Sequence, residues 1–300
     1  MADSGNSDFS SNLDQNPISG AADNSGLDPD TAETALRRDN WSGKHPMLPI
    51  LRSIAAQRQL ALPGDARILD FGCGLGRHVR ELRAAGYDAV GVDLDQPQFI
   101  KERSRLRDGG TYLFATSPTG EFPFEDGSFD FCFSTSTLEH VMSYEKPMSE
   151  IARILKPGAY SLHFFPAGWR PLESHTSIPF GGKLHPTALL RAWVALGARP
   201  PAWAGIGSGP NGGGASRSNQ DQITEWFRLF FLNDVNYLSR SQIDRICRRY
   251  FSHVEWVEGE WIRSSRHQSK VSRILAPYLA VPGLSAIYRA FHTRALLLLR

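Results

Sequence analysis

The stretch "ILDFGCGLGRHV" (residues 68–79) joins an apolar run containing one acid, Asp70, to three alternate glycines and then to a basic, helix-compatible segment. A strand that ends in a glycine loop and opens a helix presents backbone N–H groups to a ligand. Glycine permits close approach and positive φ, and the helix N-terminus favours negative charge. The position therefore indicates a nucleotide cofactor, and the spacing narrows the choice. A dinucleotide fold wants G-x-G-x-x-G. Here Gly72, Gly74 and Gly76 give G-x-G-x-G, and Arg77 stands in the slot of the third glycine. No Gly-Lys-Ser/Thr sequence follows, which argues against a phosphate loop of that kind. Asp70 would oppose a pyrophosphate and suits a ligand carrying an ammonium or sulfonium group; capping of the following turn is its plainer role. Asp93 ends the next apolar run, where a carboxylate can accept hydrogen bonds from both ribose hydroxyls, as it also does in nicotinamide sites.

Around this loop, strand and helix patterns alternate. Strands are expected at 67–71, 87–93, 111–115, 129–134 and 159–165. Helices are expected around 50–58, at 77–85 with Gly86 as the residue past its end, after Asp95 with Pro97 in the first turn, and around Met148 to Leu155 until "KPG" (156–158). Five alternations imply a parallel sheet covered on both faces, a doubly wound α/β domain. Beyond Pro166 the rhythm breaks, and residues 166–240 read as an insertion. It holds a glycine-rich loop (205–219) and a helical stripe of Ile223, Trp226, Phe227, Phe230 and Phe231. The stripe is either the insertion's buried face or an apolar lid, with the glycine loop as its hinge. A helix at 242–250, the partly alternating "HVEWVEGEW" (253–261) as a strand and a final strand in "HTRALLLLR" complete the pattern.

Four segments appear in order: "ILDFGCGLGRHV", "VGVDLD" (90–95), "EFPFEDGSFDFCFSTSTLEHV" (121–141) and "ILKPGAYSLHFFP" (154–166). Over residues 65–166, this set resembles the class I S-adenosylmethionine (SAM)-dependent methyltransferase family, in particular its small-molecule type 11 branch. The resemblance implies a Rossmann-like, mostly parallel seven-stranded sheet with an α-rich insertion after strand five, and SAM as cofactor. It implies that Gly72 and Gly74 pass under the methionyl part, with Gly76 also in the cofactor loop and Asp70 near the amino group. Asp93 would bind the ribose and Leu94 would lie against the adenine. The family often has an acid after strand three to read the adenine; here Thr116 and Ser117 stand in that region. Adenine contact then falls to a hydroxyl or to backbone, and Thr116 and Ser134 complete the expected cofactor set.

Methyl transfer from a sulfonium is an in-line displacement, so the protein mainly aligns the partners and excludes water. A base helps when the acceptor is a hydroxyl or a protonated amine. Glu139 and His140 after strand four and Glu173 and His175, two apart after strand five, are the candidates, with Glu173, His175 and His140 taken as the candidate catalytic residues. Their alternative roles are holding the insertion onto the core and shaping the cofactor pocket. His163 is read as a core histidine. The expected function is methylation of a small-molecule or lipid-linked acceptor, O-methylation favoured over N or C. A catalytically silent SAM binder is the second choice and a nicotinamide oxidoreductase the third.

Composition bounds the rest. The 300 residues are 41% hydrophobic and 21% charged, as in a soluble globular protein. No apolar run reaches the ~18–20 residues that span a bilayer, and the N-terminus has no basic start or apolar segment of a secretory signal. Cys73, Cys132 and Cys247 form no CxxC pair, so neither a disulfide scaffold nor a metal site is expected, and the localisation reads as cytoplasmic. Residues 1–29 lack large apolar groups and read as disordered, with a capped helix starting at Asp30 and Glu33; the methyltransferase domain is then 30–300. Residues 1–34 hold seven acids and no Lys or Arg, leaving about +9 on the remainder. The segment 263–300 is basic throughout. It is either a basic surface on a helix pair or a peripheral contact for an anionic membrane. No nucleic-acid module is recognisable.

Overall fold

In the computed structural model, residues 47–95, 110–201, 204, 217–264 and 291–300 are described. The strands are β1 (Arg67–Phe71), β2 (Asp88–Asp93), β3 (Leu113–Ala115), β4 (Phe129–Thr135), β5 (Leu155–Pro166), β6 (His253–Trp256) and β7 (Thr293–Leu299). The helices are α1 (Met47–Gln57), α2 (Arg77–Ala84), α3 (Glu145–Ile154), α4 (Thr187–Ala195), α5 (Arg217–Asn233), α6 (Arg240–Cys247) and α7 (Glu258–Ser264). All seven strands form one sheet in the order β3-β2-β1-β4-β5-β7-β6. β1 to β5 are parallel, and β7 lies antiparallel between β5 and β6. The expected doubly wound α/β sheet is therefore present. The order reverses between β1 and β4, so the loop after β1 opens at the point where such sheets bind ligands.

The sheet has two buried faces because successive strand side chains point to opposite sides. Leu69, Phe71, Leu296 and Leu298 pack with Met148 and Ile151 of α3 and Ile243 of α6. Ile68, Ala295 and Leu297 pack on the other face with Leu51 and Ile54 of α1 and Leu82 of α2. α2 ends as its sequence predicts: the Gly86 N–H donates to Arg83 O and the Tyr87 N–H to Leu82 O, the paired bonds of a glycine-terminated helix.

The insertion after β5 has its own core. Ile223, Trp226, Phe227, Phe230 and Phe231 of α5 are all buried and meet Leu190 and Val194 of α4. The aromatic stripe is thus the buried face of a helix, the plainer of its two readings. α6 begins two residues earlier than expected because Ser239 caps it. The Ser239 hydroxyl accepts from the Gln242 N–H, while the Gln242 side chain accepts from the Ser239 N–H. Ser239→Ala should cost about 1 kcal/mol, read as a melting temperature lower by roughly 2–4 °C in a thermal scan.

Three expectations need correction. "HVEWVEGEW" is a strand only over His253–Trp256. Glu258 and Glu260 in the first turn suit a helix N-terminus, and α7 turns there so that Trp261 packs on Phe164 with ring centroids 4.4 Å apart. "KPG" does stop α3, but β5 begins at Leu155 and absorbs those three residues through a register shift opposite Phe129–Phe131. The basic surface loses Arg294: it is 7% exposed and donates to Leu238 O at 2.6 Å. The expectations for residues 1–46, for the helix after Asp95, for the glycine-rich loop up to Ser216 and for the basic residues at 266–289 lie outside the described residues. Among the described residues no helix is long and apolar enough to cross a membrane.

Candidate active site

β1 delivers the glycine loop to the switch point, and two glycines there meet distinct demands. Gly72 has φ +75°, and a Cβ on it would lie 2.2 Å from the Thr137 side chain. That threonine donates to Phe71 O, tying the end of β1 to the turn after β4. Gly74 has φ +50° and open space where its Cβ would be. Its N–H donates to Asp93 Oδ2 at 2.7 Å, and the Leu94 N–H donates to the other oxygen at 2.7 Å. The carboxylate at the end of β2 thus pins the loop, and Leu94 beside it is 56% exposed. Gly76 starts α2 with φ +72°. Thr116 continues from β3 and donates its N–H to Asp93 O.

Asp70 is 2% exposed, and its Oδ1 has no hydrogen-bond partner among the described residues. Burial, then the charges of Asp93 and Glu81, push its carboxyl well above the usual range. His78, 3.9 Å away, is held down to about 4 by its own burial. A buried carboxyl with one unpartnered oxygen, beside an open glycine cradle, fits a ligand bearing an ammonium group next to a ribose. Gly74→Ala tests this fit. The left-handed backbone costs about 1–2 kcal/mol, whereas the added methyl enters the cradle. We expect a modest loss of stability with cofactor binding markedly weakened, both read on the same variant by melting and calorimetry.

Ser134 does not share this surface. It is fully buried, and its hydroxyl is hydrogen-bonded to His163 Nδ1 at 2.8 Å, with Ser161 on the other ring nitrogen at 3.0 Å. The short side chain on the central strand points into the core, and His163 is the core histidine its sequence suggests. An acid near the adenine region was missed. Glu121 folds back to accept from the hydroxyls of Ser117 and Thr119 and pairs with Lys146 at 3.0 Å.

At the carboxyl ends of β4 and β5 the three candidate catalytic residues come together. Glu173 is 3% exposed and accepts five hydrogen bonds. These come from the N–H groups of His175 and Thr176, the Thr176 hydroxyl, His175 Nδ1 at 2.8 Å and the Tyr237 hydroxyl at 2.6 Å. Burial opposes the charge, yet the bond and charge from His175, with those hydroxyls, hold Glu173 down to about 2. Burial likewise lowers His175, but the Glu173 carboxylate outweighs it and the imidazole sits above its ordinary value. His175 Nε2 lies 3.1 Å from His140 Nε2. Burial, then the charge of His175, lowers His140. Beside them Glu139 is 1% exposed, and burial pushes its carboxyl up to about 8.

The insertion completes this cluster. The Asn236 N–H donates to Glu139 O at 2.6 Å, and His140 Nδ1 faces Asp234 O at 2.7 Å. Glu173 therefore orients His175 and also ties the insertion to the core through Tyr237, so both readings of this acid hold. Tyr237 and Asp234 could not be found in the sequence, because Tyr237 is 64 residues from Glu173 and Asp234 is 94 from His140. A cavity of about 410 Å³ opens beside them, lined by Tyr237, Lys183, His185, Phe231 and Met142.

Residues 69–162 match the family model described as "Methyltransferase domain". A malonyl-[acyl-carrier protein] O-methyltransferase of Erwinia billingiae is 27% identical over 165 residues, 49% of this chain and 62% of that protein. The 24-methylenesterol C-methyltransferase 2 of Oryza sativa subsp. japonica is 34% identical over 102 residues, 33% of this chain and 28% of that protein. A SAM-dependent methyltransferase structure from Mesorhizobium loti aligns with a TM-score of 0.46 at 17% identity, covering 86% of this chain and 99% of that one. The chain spans less than two thirds of the length of these two curated relatives. Residues 69–162 thus match a methyltransferase domain, and over that stretch the chain is similar to SAM-dependent methyltransferases.

Proposed function

We propose that the protein transfers a methyl group to an oxygen of a small or lipid-linked acceptor held between the sheet and the insertion. SAM, when bound, supplies an already activated methyl on a sulfonium. Asp70, Gly72, Gly74, Gly76, Asp93, Leu94 and Thr116 would hold it. The observation that carries the oxygen preference is the Glu173–His175 pair. The carboxylate fixes the Nδ1–H, so Nε2 is the basic atom that takes the acceptor's proton, and His140 beside it shares that proton. An apolar acceptor is supported by the exposed Leu172, Phe180 and Leu184 of the insertion and by Phe231 and Met142 in the cavity lining. The Erwinia billingiae relative is named for O-methylation of an acyl-carrier substrate, which is consistent with this reading.

Calorimetry with SAM, its demethylated product and NAD tests the cofactor, and turnover against fractionated cell extracts tests the acceptor. We expect SAM and its product to bind, NAD not to, and a hydroxylated extract component to gain a methyl. Binding of NAD without SAM would overturn the proposal. SAM binding with no turnover on any fraction would make the protein a silent SAM binder.

A further inference from the structure

Two imidazoles meet head-on in this cluster, with His140 Nε2 and His175 Nε2 3.1 Å apart. The far nitrogen of each ring faces an atom that can only accept. For His140 it is the Asp234 carbonyl at 2.7 Å, and for His175 it is Glu173 Oε1 at 2.8 Å. Each Nδ1 therefore carries its ring's hydrogen, and in the neutral rings both Nε2 lone pairs point at one another. Something positive belongs between them. A single proton would satisfy the two nitrogens but would leave Glu139 unexplained. That side chain is 1% exposed, and neither of its oxygens has a partner among the described residues. One ligand atom from each of Glu139, His140 and His175 lies within 4.8 Å of the others.

We propose that Glu139, His140 and His175 bind one divalent transition-metal cation through two imidazole Nε2 atoms and a carboxylate oxygen. Nitrogens about 2.1 Å from a common ion stand roughly 3.0–3.4 Å apart, which brackets the separation of the two rings. Two imidazoles and one carboxylate suit zinc, iron, cobalt or manganese rather than calcium or magnesium, which take oxygen. The outer contacts also match a metal site. A ligating histidine holds its orientation by donating its other N–H to a carboxylate or a backbone carbonyl, as both rings do here. Three protein ligands leave positions open, and exposed His140 gives the ion a way in. With the ion bound neither Nε2 can act as a base; an acceptor hydroxyl at an open position would then be acidified by the ion and lose its proton to solvent. Metal binding stands whether or not the chain transfers methyl groups.

The test takes the full chain, stripped with a chelator, and titrates it with Zn²⁺ by calorimetry and with Co²⁺ by absorbance. One ion per chain is expected, with a dissociation constant on the order of micromolar or tighter. His140→Ala and His175→Ala should abolish binding and Glu139→Gln weaken it. Glu173→Gln, which loosens the His175 ring, should cost about 10- to 100-fold in affinity. Thermal melts without metal check that each variant folds. X-ray absorption on the zinc-loaded wild type, expected to show two imidazoles and oxygen, needs no variant. No saturable binding at millimolar ion, a zinc shell without imidazole, or unchanged binding in folded histidine variants overturns the proposal. A chain that binds no ion yet turns over sinks the cation and leaves the His175 base standing. A chain that binds the ion and methylates nothing supports the cation and sinks the methyl-transfer reading.

Discussion

Turnover is expected to fall about 100- to 10,000-fold in His175→Ala, with affinity for the demethylated cofactor product unchanged. The split follows from placement. His175 stands beyond β5 with its Nδ1 on Glu173, whereas the groups expected to hold the cofactor extend from β1 and β2. Removing the imidazole takes away the atom that would receive the acceptor's proton and leaves the glycine loop and Asp93 untouched. Tyr237→Phe makes the complementary case. It deletes one of five donors to Glu173, so the carboxylate keeps its hold on His175 and turnover should drop far less. Single-turnover kinetics with product-binding calorimetry separates the two effects. Equal turnover in His175→Ala and the parent would remove this residue from the chemistry.

Asp93→Ala should weaken binding of SAM and its product by about tenfold to more than a hundredfold. A charge-assisted hydrogen bond is worth about 1.5–3 kcal/mol, and each 1.4 kcal/mol is tenfold in affinity. The loss has two sources here. The carboxylate is the expected acceptor for the ribose hydroxyls, and it also anchors the loop through the Gly74 N–H at 2.7 Å. Asp93→Asn keeps one carbonyl acceptor while losing the charge, so its affinity should fall between the two. Calorimetry on all three proteins gives the order, and unchanged affinity in Asp93→Ala would reject the ribose assignment.

The sheet was legible because parallel strands buried on both faces leave continuous apolar runs, and "RILDF" of β1 is buried at four of its five positions. The aromatic stripe of α5 was legible for a related reason: helical spacing on one face is a local property. Where local signals compete, reading failed. "HVEWVEGEW" alternates like a strand, but helix-favouring acids and the packing of Trp261 on Phe164 turn its second half into α7. Ser134 sits at a strand end like a cofactor contact, yet its direction depends on pleat phase, and that phase turns it to His163.

By itself the sequence determined the doubly wound sheet, the loop at its switch point and the identity of the acids that flank it, because these rest on periodicity and on residues close in the chain. Only the tertiary structure decided what surrounds those acids. Asp70 is 2% exposed, and one of its oxygens is left without a partner among the described residues once the layers have packed. The meeting of Glu139, His140, Glu173, His175 and Tyr237 depends on the insertion folding back across the ends of β4 and β5. No local pattern encodes such a contact, because its free energy comes from surfaces that exist only once both layers have packed.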